Sequence, residues 1–408
     1  MMLYIAVTIT TVLAACFVCG RREITGGNGG VCRQPEGISA GVMSRRHMVN
    51  SLALVFIFLV LFMLSALRFG MGDYWKYVEF MHLIRCDSYV PTEWGFNLLT
   101  KIIYGLSGFE NYKLIFAVYS FLTVLIFMMA MYDQSADFKM TLFMFMTLGL
   151  YFQSFCTMRY YLALAIALYS IKFLKNRQWV LFTAVILLAS GFHKSVIVVI
   201  PLYLLAVIPW KKWMIAVFTV FAASLVICRG FWMNVAVTLY PTYKETSYAS
   251  AGGTISPVNI ARCVAVLLFT LYVVKRTGNK KLLGSFMSKL NIMALVVYAC
   301  CWYIPFVSRI GYYMTVTQIL FVPELIAALA GAAENVTEQA EADQAAAAIG
   351  RKKPAANKIR RRAVILVGTV CVLYFAMYLK KAYSSDVNVL PYKTYLFEDS
   401  TQIVQDIS

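Results

Sequence analysis

Long apolar blocks run through most of the chain, and many are long enough to cross the hydrocarbon core of a membrane as a helix. Clear examples are 49–67, 112–131 and 363–379. A bilayer core of roughly 30 Å needs about 20 helical residues, and backbone polar groups inside it must be satisfied within the segment. Of the 408 residues, 61% are hydrophobic and 14% charged, unlike soluble domains. The pattern predicts an all-α polytopic membrane protein.

The blocks predict about 12 transmembrane helices in one membrane domain, 1–408. The predicted segments are 2–19, 49–67, 112–131, 139–155, 159–174, 179–192, 195–209, 213–228, 257–274, 290–305, 310–328 and 363–379. A shorter apolar stretch, Gly95 to Leu106, is typical of an interfacial or re-entrant helix.

Basic residues cluster in alternate loops, and this bias sets the orientation. It predicts a multi-pass protein of the inner or plasma membrane with both termini outside. Because Arg21 and Arg22 follow the first apolar block, that block is a membrane helix and not a signal peptide. The predicted connections are a cytoplasmic loop 20–48, an outer loop 68–111 with the interfacial helix, an outer loop 229–256, an Ala/Lys-rich cytoplasmic linker 329–362 and an outer tail 380–408.

The net charge of +18 does not indicate a nucleic-acid partner. No basic stripe alternates with exposed aromatic residues, as such a site requires. Most of the ten cysteines fall inside apolar blocks, where Cys behaves as a small hydrophobe. The sequence also lacks a Gly-rich phosphate loop, an HExxH motif and paired CxxC motifs. We therefore predict no metal site and no cofactor.

Ionisable residues gather at the predicted outer ends of helices. Such groups are costly in a membrane unless they are paired or face a watery cavity, so we expect a polar cavity that opens outward. As alternatives, Arg68 could snorkel, with its charged end at the membrane–water interface, and His193 could have only a structural role. The residues are Arg68, Asp73, Glu93, Arg159, His193, Lys194, Arg262 and Arg309.

The residue types suit a phosphorylated, lipid-attached ligand. The planar arginine fork matches phosphate oxygens and stays charged near lipid. A cation at the start of a helix, such as Arg159, needs an anionic partner or ligand. Outer aromatic residues could stack on sugar rings or form an interfacial belt; they are Trp75, Trp94, Tyr240, Tyr243, Tyr248 and Trp302.

The chain resembles the EpsG family, relatives of the Wzy polymerases that assemble exopolysaccharide, capsule or O-antigen. The resemblance covers most of the chain and rests on the order and spacing of short motifs. Those motifs are Met2-Leu3-Tyr4-Ile5, Arg68-Phe69-Gly70, Gly72-Asp73-Tyr74 with Tyr77, Glu93-Trp94-Gly95-Phe96-Asn97, Met158-Arg159-Tyr160, Gly191-Phe192-His193-Lys194-Ser195 with Pro201, Ser308-Arg309 with Tyr312, Pro323 and Pro391-Tyr392.

The resemblance implies a polymerase with a fold like that of the GT-C glycosyltransferases. It would transfer a glycan from undecaprenyl diphosphate onto the next lipid-linked repeat at the outer face of the membrane. A flippase and a chain-length regulator of the same pathway would be its partners, beside membrane lipids.

Site roles follow from that resemblance and from residue chemistry. Arg159 and Arg309 are expected to stabilise the leaving diphosphate, assisted by Arg68 or Lys194. Tyr312 and Trp75 are expected to contact the diphosphate or the glycan. The candidate bases are Asp73, Glu93 and His193, with Asp73 preferred because it lies in the first large outer loop.

Three other functions remain open from the sequence. A flippase for lipid-linked oligosaccharide would also need a cationic cavity, but paired repeats and a midplane site are not evident. A membrane glycan acyltransferase would need a His near an acyl-donor channel, and His47 and His82 are the other histidines. A non-catalytic assembly partner would tolerate the loss of Arg159 and Arg309.

Overall fold

The computed structural model describes residues 1–21, 40–239, 255–304, 307–344, 354–383 and 388–397. The described residues fold into helices without strands, and one isolated antiparallel bridge joins Arg68 to Thr394. The helices are α1 (Met2–Ala15), α2 (Ala40–Ala66), α3 (Tyr74–Arg85), α4 (Trp94–Ser107), α5 (Tyr112–Gln134), α6 (Phe138–Thr147), α7 (Leu150–Gln153), α8 (Met158–Lys175), α9 (Trp179–Ser190), α10 (Val199–Val207), α11 (Lys212–Ile227), α12 (Arg229–Leu239), α13 (Pro257–Thr277), α14 (Phe286–Cys300), α15 (Val307–Thr315), α16 (Gln318–Gln344) and α17 (Pro354–Lys381), with 3₁₀ segments at Lys194–Val198 and Lys280–Leu282.

Fewer helices than predicted are long and apolar enough to cross a membrane alone. Within the described chain there are five such spans, or six if α11 and α12, which meet at a 91° bend, are one span. The five are Arg45–Ala66, Tyr112–Gln134, Pro257–Thr277, Val307–Gly331 and Lys358–Lys381.

The predicted number of about 12 spans is therefore not confirmed, although every predicted segment contains helix. Several of these helices are short. The 12 residues of α9 rise only about 18 Å, well below the core thickness. In the segment predicted at 139–155 the helix is interrupted at Gly149, whose φ of +72° ends α6 before α7 begins. The apolar composition of these segments does not predict the helix breaks.

Helix α8 forms the centre of the bundle. It packs against α5, α9 and α15, and most of its residues are buried on all sides. A helix that is apolar on most faces suits such an interior position. The small side chains of Ala163, Ala165 and Ala167 are fully buried and permit close helix approach.

Tyr4 and the segment 388–393 pack against residues 69–72, at the start of the predicted outer loop 68–111. The Phe69 amide donates to the Lys393 carbonyl at 3.0 Å, and the Gly72 amide donates to the Asn388 carbonyl at 3.1 Å. The Tyr4 hydroxyl of α1 donates to the Val389 carbonyl at 2.7 Å. These bonds fix the segment that leads into α3.

Several predicted loops lie partly outside the described residues. This applies to 20–48, 229–256, 329–362 and 380–408, and to Tyr240, Tyr243 and Tyr248. Within them, α12 occupies part of 229–256, while α16 continues to Gln344 and α17 begins at Pro354, both in the predicted linker 329–362. The stretch predicted as an interfacial helix is α4.

Candidate functional site

Glu93, Arg159 and His193 form a buried charged cluster. Arg159 Nη1 donates to Glu93 Oε2, and His193 Nδ1 lies 3.5 Å from Glu93 Oε1. The Lys194 amide donates to the same Oε1 at 3.1 Å. The three side chains are only 10–14% exposed. The sequence motifs that carry these residues, far apart in the chain, therefore meet at one point.

Two glycines bring the motifs together. The Gly95 amide donates to the Gly191 carbonyl at 2.7 Å, which joins the start of α4 to the end of α9. A Cβ at Gly95 would lie 2.6 Å from the Gly191 oxygen, and one at Gly191 would lie 2.5 Å from Trp94 Cζ2. Any larger residue would push the two segments apart and move Glu93 away from His193.

The pKa values of Glu93 and His193 are both lowered, which leaves the carboxylate charged and the imidazole neutral. Burial acts to raise the pKa of Glu93, but the His193 and Arg159 contacts and the Lys194 amide outweigh it and lower that pKa to about 2. Burial lowers the pKa of His193, and the charges of Arg309 and Arg159 lower it further, against the opposing effect of Glu93. Glu93 is thus ionised and His193 neutral at neutral pH.

Arg159 is enclosed between aromatic rings as well as paired. Its guanidinium carbon lies 5.6 Å from the ring centroid of Tyr77 and 5.3 Å from that of Phe96. Both contacts are within the range of cation–π attraction. Because Glu93 balances its charge, Arg159 holds the cluster together and brings no net charge to a ligand.

A cavity of about 530 Å³ lies beside the cluster, among α7, α8, α13, α15 and α17. The first turns of α8, α13 and α15 and the last turns of α17 form its wall, so three positive helix ends meet there. Its lining residues are Gln153, Cys156, Thr157, Tyr160, Tyr161, Ile255, Ser256, Pro257, Val258, Asn259, Ser308, Arg309, Tyr312, Tyr374, Met377, Tyr378 and Lys381.

The cavity carries two exposed cations, Arg309 and Lys381. A third cation, Arg262, lies one turn along α13 from the lining residue Asn259. Its guanidinium carbon is 5.9 Å from the ring centroids of both Tyr312 and Tyr374. Its Nε and Nη2 are buried and have no hydrogen-bond partner among the described residues. The arrangement favours an anion that enters from the cavity.

Tyr160 connects the cavity to the charged cluster. Its hydroxyl donates to the Arg309 carbonyl at 2.7 Å, and its ring meets the His193 ring edge-on at 5.3 Å. Tyr160 follows Arg159 directly in the chain and itself lines the cavity. The two predicted arginines are therefore parts of one region and do not lie on opposite faces of the bundle.

The other predicted residues take different positions. Asp73 is exposed beside the cavity, and its amide donates to the carbonyl of the lining residue Cys156 at 3.4 Å. Tyr312 lines the cavity, whereas the exposed Lys194 contributes its backbone to Glu93. Trp75 is half-buried against Phe69 and Tyr74 and is not part of the cavity lining.

Arg68 is fully enclosed, at 2% exposure. Its Nη1 bonds the Ser65 carbonyl at 2.5 Å and the Ser120 hydroxyl at 2.9 Å. The guanidinium carbon lies 5.2 Å from the ring centroid of Phe116 and 5.7 Å from that of Phe155. It is directed into the protein and does not line the cavity, so its snorkelling to the interface is excluded.

Sequence reasoning did not select Lys381 or the tyrosines of α17 as site residues. Tyr374, Tyr378 and Lys381 recur at four- and three-residue spacing on one helix face. Lys381 also lies at an end of the bundle where the positive-inside pattern predicts few cations. Together these two signals could have indicated a polar face on the last helix.

A sequence model of the EpsG family matches residues 51–336, which is more than half of the chain. The match includes the charged cluster and Arg309, whereas the α17 side of the cavity lies beyond it. No curated protein and no solved structure matches the chain. The GT-C-like fold expected from the resemblance therefore stays a prediction.

Proposed function

Because the chain belongs to the EpsG family, the family of Wzy-like polymerases, we propose that it is a membrane glycosyltransferase that polymerises polysaccharide repeats. The donor is a glycan on a polyprenyl diphosphate such as undecaprenyl diphosphate. The acceptor is the next lipid-linked repeat, and transfer takes place at the outer face of the cell membrane. The product is an exopolysaccharide, a capsule or an O-antigen.

The single observation that supports this best is the composition of the 530 Å³ cavity. Arg309 and Lys381 line it where three helix N-termini meet, and Arg262 lies behind its tyrosines. A diphosphate needs several such donors, because preorganised cations stabilise the negative charge that grows as the leaving group departs. Tyrosine rings beside the cations offer flat surfaces for sugars.

The transfer is a substitution at the anomeric carbon of the donor glycan. The acceptor hydroxyl oxygen forms the new bond to that carbon, and the bond from the carbon to the diphosphate oxygen breaks. Its electron pair leaves with the polyprenyl diphosphate, whose charge Arg309, Lys381 and Arg262 stabilise. The proton of the acceptor hydroxyl goes to a base on the protein.

Asp73 is the base that we propose. Its carboxylate is exposed beside the cavity and has no hydrogen bond or ion pair with the rest of the described chain. Glu93 is a poor base because its pKa is about 2 and its oxygens already accept bonds. His193 is neutral, and its Nδ1 lies 3.5 Å from Glu93 Oε1, whereas its Nε2 has no hydrogen-bond partner among the described residues and is the nitrogen that can accept a hydrogen bond from the acceptor.

The remaining predicted residues hold other groups of the site in place. Arg159 and Glu93 hold His193 and Tyr160 in place, and Tyr160 in turn holds the backbone of Arg309. Arg68 fixes the end of α2, from which the chain continues to Asp73. We infer that these are positioning residues, as is Lys194 through its amide, while Trp75 packs against Phe69 and Tyr74 outside the cavity lining.

The test is a polymerisation assay with the purified protein in lipid and its lipid-linked repeat. Wild type is compared with Arg309→Ala and Lys381→Ala, and with Lys380→Ala as a control. Lys380 is the exposed neighbour of Lys381 but does not line the cavity. The expected result is glycan ladders from wild type and Lys380→Ala, and a rate lowered by about 10²- to 10³-fold in each cavity variant.

Two outcomes would contradict the proposal. Full activity in both cavity variants would remove the diphosphate from this cavity. Movement of the intact repeat across a vesicle membrane without any ladder would identify a flippase instead. Both results require that the variants keep the wild-type elution profile and thermal stability.

A further inference from the structure

A second cavity, of about 240 Å³, lies at the other end of α8. The last turn of α8, the start of α9, the end of α10 and the start of α14 enclose it. The two cavities lie towards opposite ends of α8, whose 18 residues span about 27 Å. Its lining residues are Ile171, Leu174, Lys175, Arg177, Trp179, Ala206, Val207, Gly284, Phe286 and Lys289.

The second cavity carries three cations and, among its described lining residues, no Asp or Glu. Lys175 and Arg177 are exposed at its mouth, whereas Lys289 is only 5% exposed. Lys289 Nζ donates to the Ala206 carbonyl at 3.2 Å and to the Ile208 carbonyl at 2.8 Å. These bonds fix the ammonium group at the end of α10, where a cation is favourable. An ammonium has three donors, so one remains for an anion.

The surroundings of the cavity are apolar and exposed. Val180 is 85% exposed, and Trp179, Val207 and Ile208 are also substantially exposed. In a membrane protein such side chains face acyl chains, and a Trp at this level is typical of the lipid–water interface. A cationic cavity bordered by a lipid-facing surface is complementary to an amphiphile that has an anionic headgroup and apolar chains.

We propose that the second cavity binds the headgroup of an anionic phospholipid. The phosphate contacts Lys175, Arg177 and the remaining donor of Lys289, and the acyl chains lie along the exposed faces of α9 and α10. Basic pockets between membrane helices bind anionic headgroups in this way on the side that carries the positive loops. The predicted topology places this end of the bundle on that side.

The proposal is tested by native mass spectrometry of the full-length protein released from detergent. Phosphatidylglycerol and phosphatidylcholine with the same acyl chains are the probes. The variant is Lys175→Gln/Arg177→Gln, and the matched control is Lys280→Gln/Lys281→Gln. The control removes two exposed basic residues that do not line the cavity.

We expect wild type and the control to retain phosphatidylglycerol in preference to phosphatidylcholine. The cavity variant should lose that preference by about tenfold or more, since each basic residue near an anionic lipid contributes to its binding. Equal retention of both lipids by wild type, or an unchanged preference in the cavity variant, would overturn the proposal.

A competition experiment on wild type separates a lipid from a free anion and needs no variant. Phosphatidylglycerol should stay bound when inorganic phosphate is added in large molar excess, because the acyl chains contribute to the affinity. Displacement by phosphate at a concentration comparable to that of the lipid would show a general anion site and overturn the proposal.

Discussion

Glu93→Gln is expected to destabilise the protein strongly, because it leaves Arg159 as a buried charge without a counter-ion. The two side chains are 10% and 14% exposed, so water screens the pair weakly. At about 4 Å and an effective dielectric constant of about 20, two charges attract by about 4 kcal/mol. Removing one member of a buried pair costs about 3–5 kcal/mol in measured cases.

A double-mutant cycle in lipid micelles measures how much of this cost comes from the interaction between Glu93 and Arg159. Glu93→Gln, Arg159→Gln and the double variant are unfolded thermally and with denaturing detergent. If the pair interacts directly, the double variant loses less stability than the sum of the two single variants, by more than about 1 kcal/mol. Polymerisation should be impaired in all three, because Glu93 and Arg159 together hold His193 and Tyr160 in place.

An exposed ion pair near Glu93 in the chain provides a matched control. Lys101 Nζ lies 2.8 Å from Asp87, and both side chains are more than half exposed. Asp87→Asn removes a carboxylate of similar geometry without burying an unpaired charge, so stability should not change. Glu93→Gln with wild-type stability, or purely additive costs in the cycle, would refute the reasoning about the cluster.

The other predictions concern close packing, pH and the enclosed arginine. Gly191→Ala should destabilise the protein by about 1–3 kcal/mol in thermal unfolding, because its Cβ would lie 2.5 Å from Trp94. The control Gly105→Ala places its Cβ in open space and should be neutral or stabilising. Equal effects of the two substitutions would refute the packing argument. Folding lowers the pKa of Glu93 from 4.5 to about 2, so its ionised form stabilises the folded protein fully above pH 4.5. This stabilisation is lost as the pH falls through about 2. If Glu93→Gln did not change the dependence of stability on pH between these two values, the prediction would be contradicted. Arg68→Met should keep the side-chain volume but lose the hydrogen bonds to Ser65 and Ser120, so we expect both stability and activity to fall. Normal stability with lost activity would instead place Arg68 in contact with substrate.

The class of fold was predictable because apolar blocks are a local property of the sequence. Each predicted block contains helix, but block length does not give helix length. Gly149 ends one helix early, and α9 ends at Ser190 before the turn that presents His193. These breaks depend on backbone dihedral angles and tertiary contacts, so hydropathy alone did not predict where the helices are interrupted.

The members of the charged cluster were predictable from the cost of placing charge near lipid. Glu93, Arg159 and His193 were all selected from the sequence, although as separate candidates for base and diphosphate ligand. Their pairing depends on the Gly95–Gly191 contact, which joins residues almost a hundred positions apart. The pairing changes their chemistry, because it turns Glu93 into a fixed counter-ion and Arg159 into its partner.

The cavity itself was only partly predictable. Arg309 and Tyr312 were selected, whereas Lys381 and Tyr378 belong to the last helix, and its proximity to α8 is a property of the assembled bundle. Arg68 was selected for its charge near the predicted outer leaflet, but the structure encloses that charge, with Nη1 bonded to Ser65 and Ser120 and Nε without a hydrogen-bond partner among the described residues. A single sequence does not distinguish a charge that faces a ligand from one that faces the protein.

The most direct test of the proposed function is a structure of the protein with a polyprenyl-diphosphate-linked repeat bound in lipid. We predict density for the diphosphate in the 530 Å³ cavity, within hydrogen-bonding distance of Arg309 and Lys381, with the glycan beside Asp73 and the tyrosines. A diphosphate bound in the 240 Å³ cavity at the other end of α8, or outside both cavities, would contradict the account.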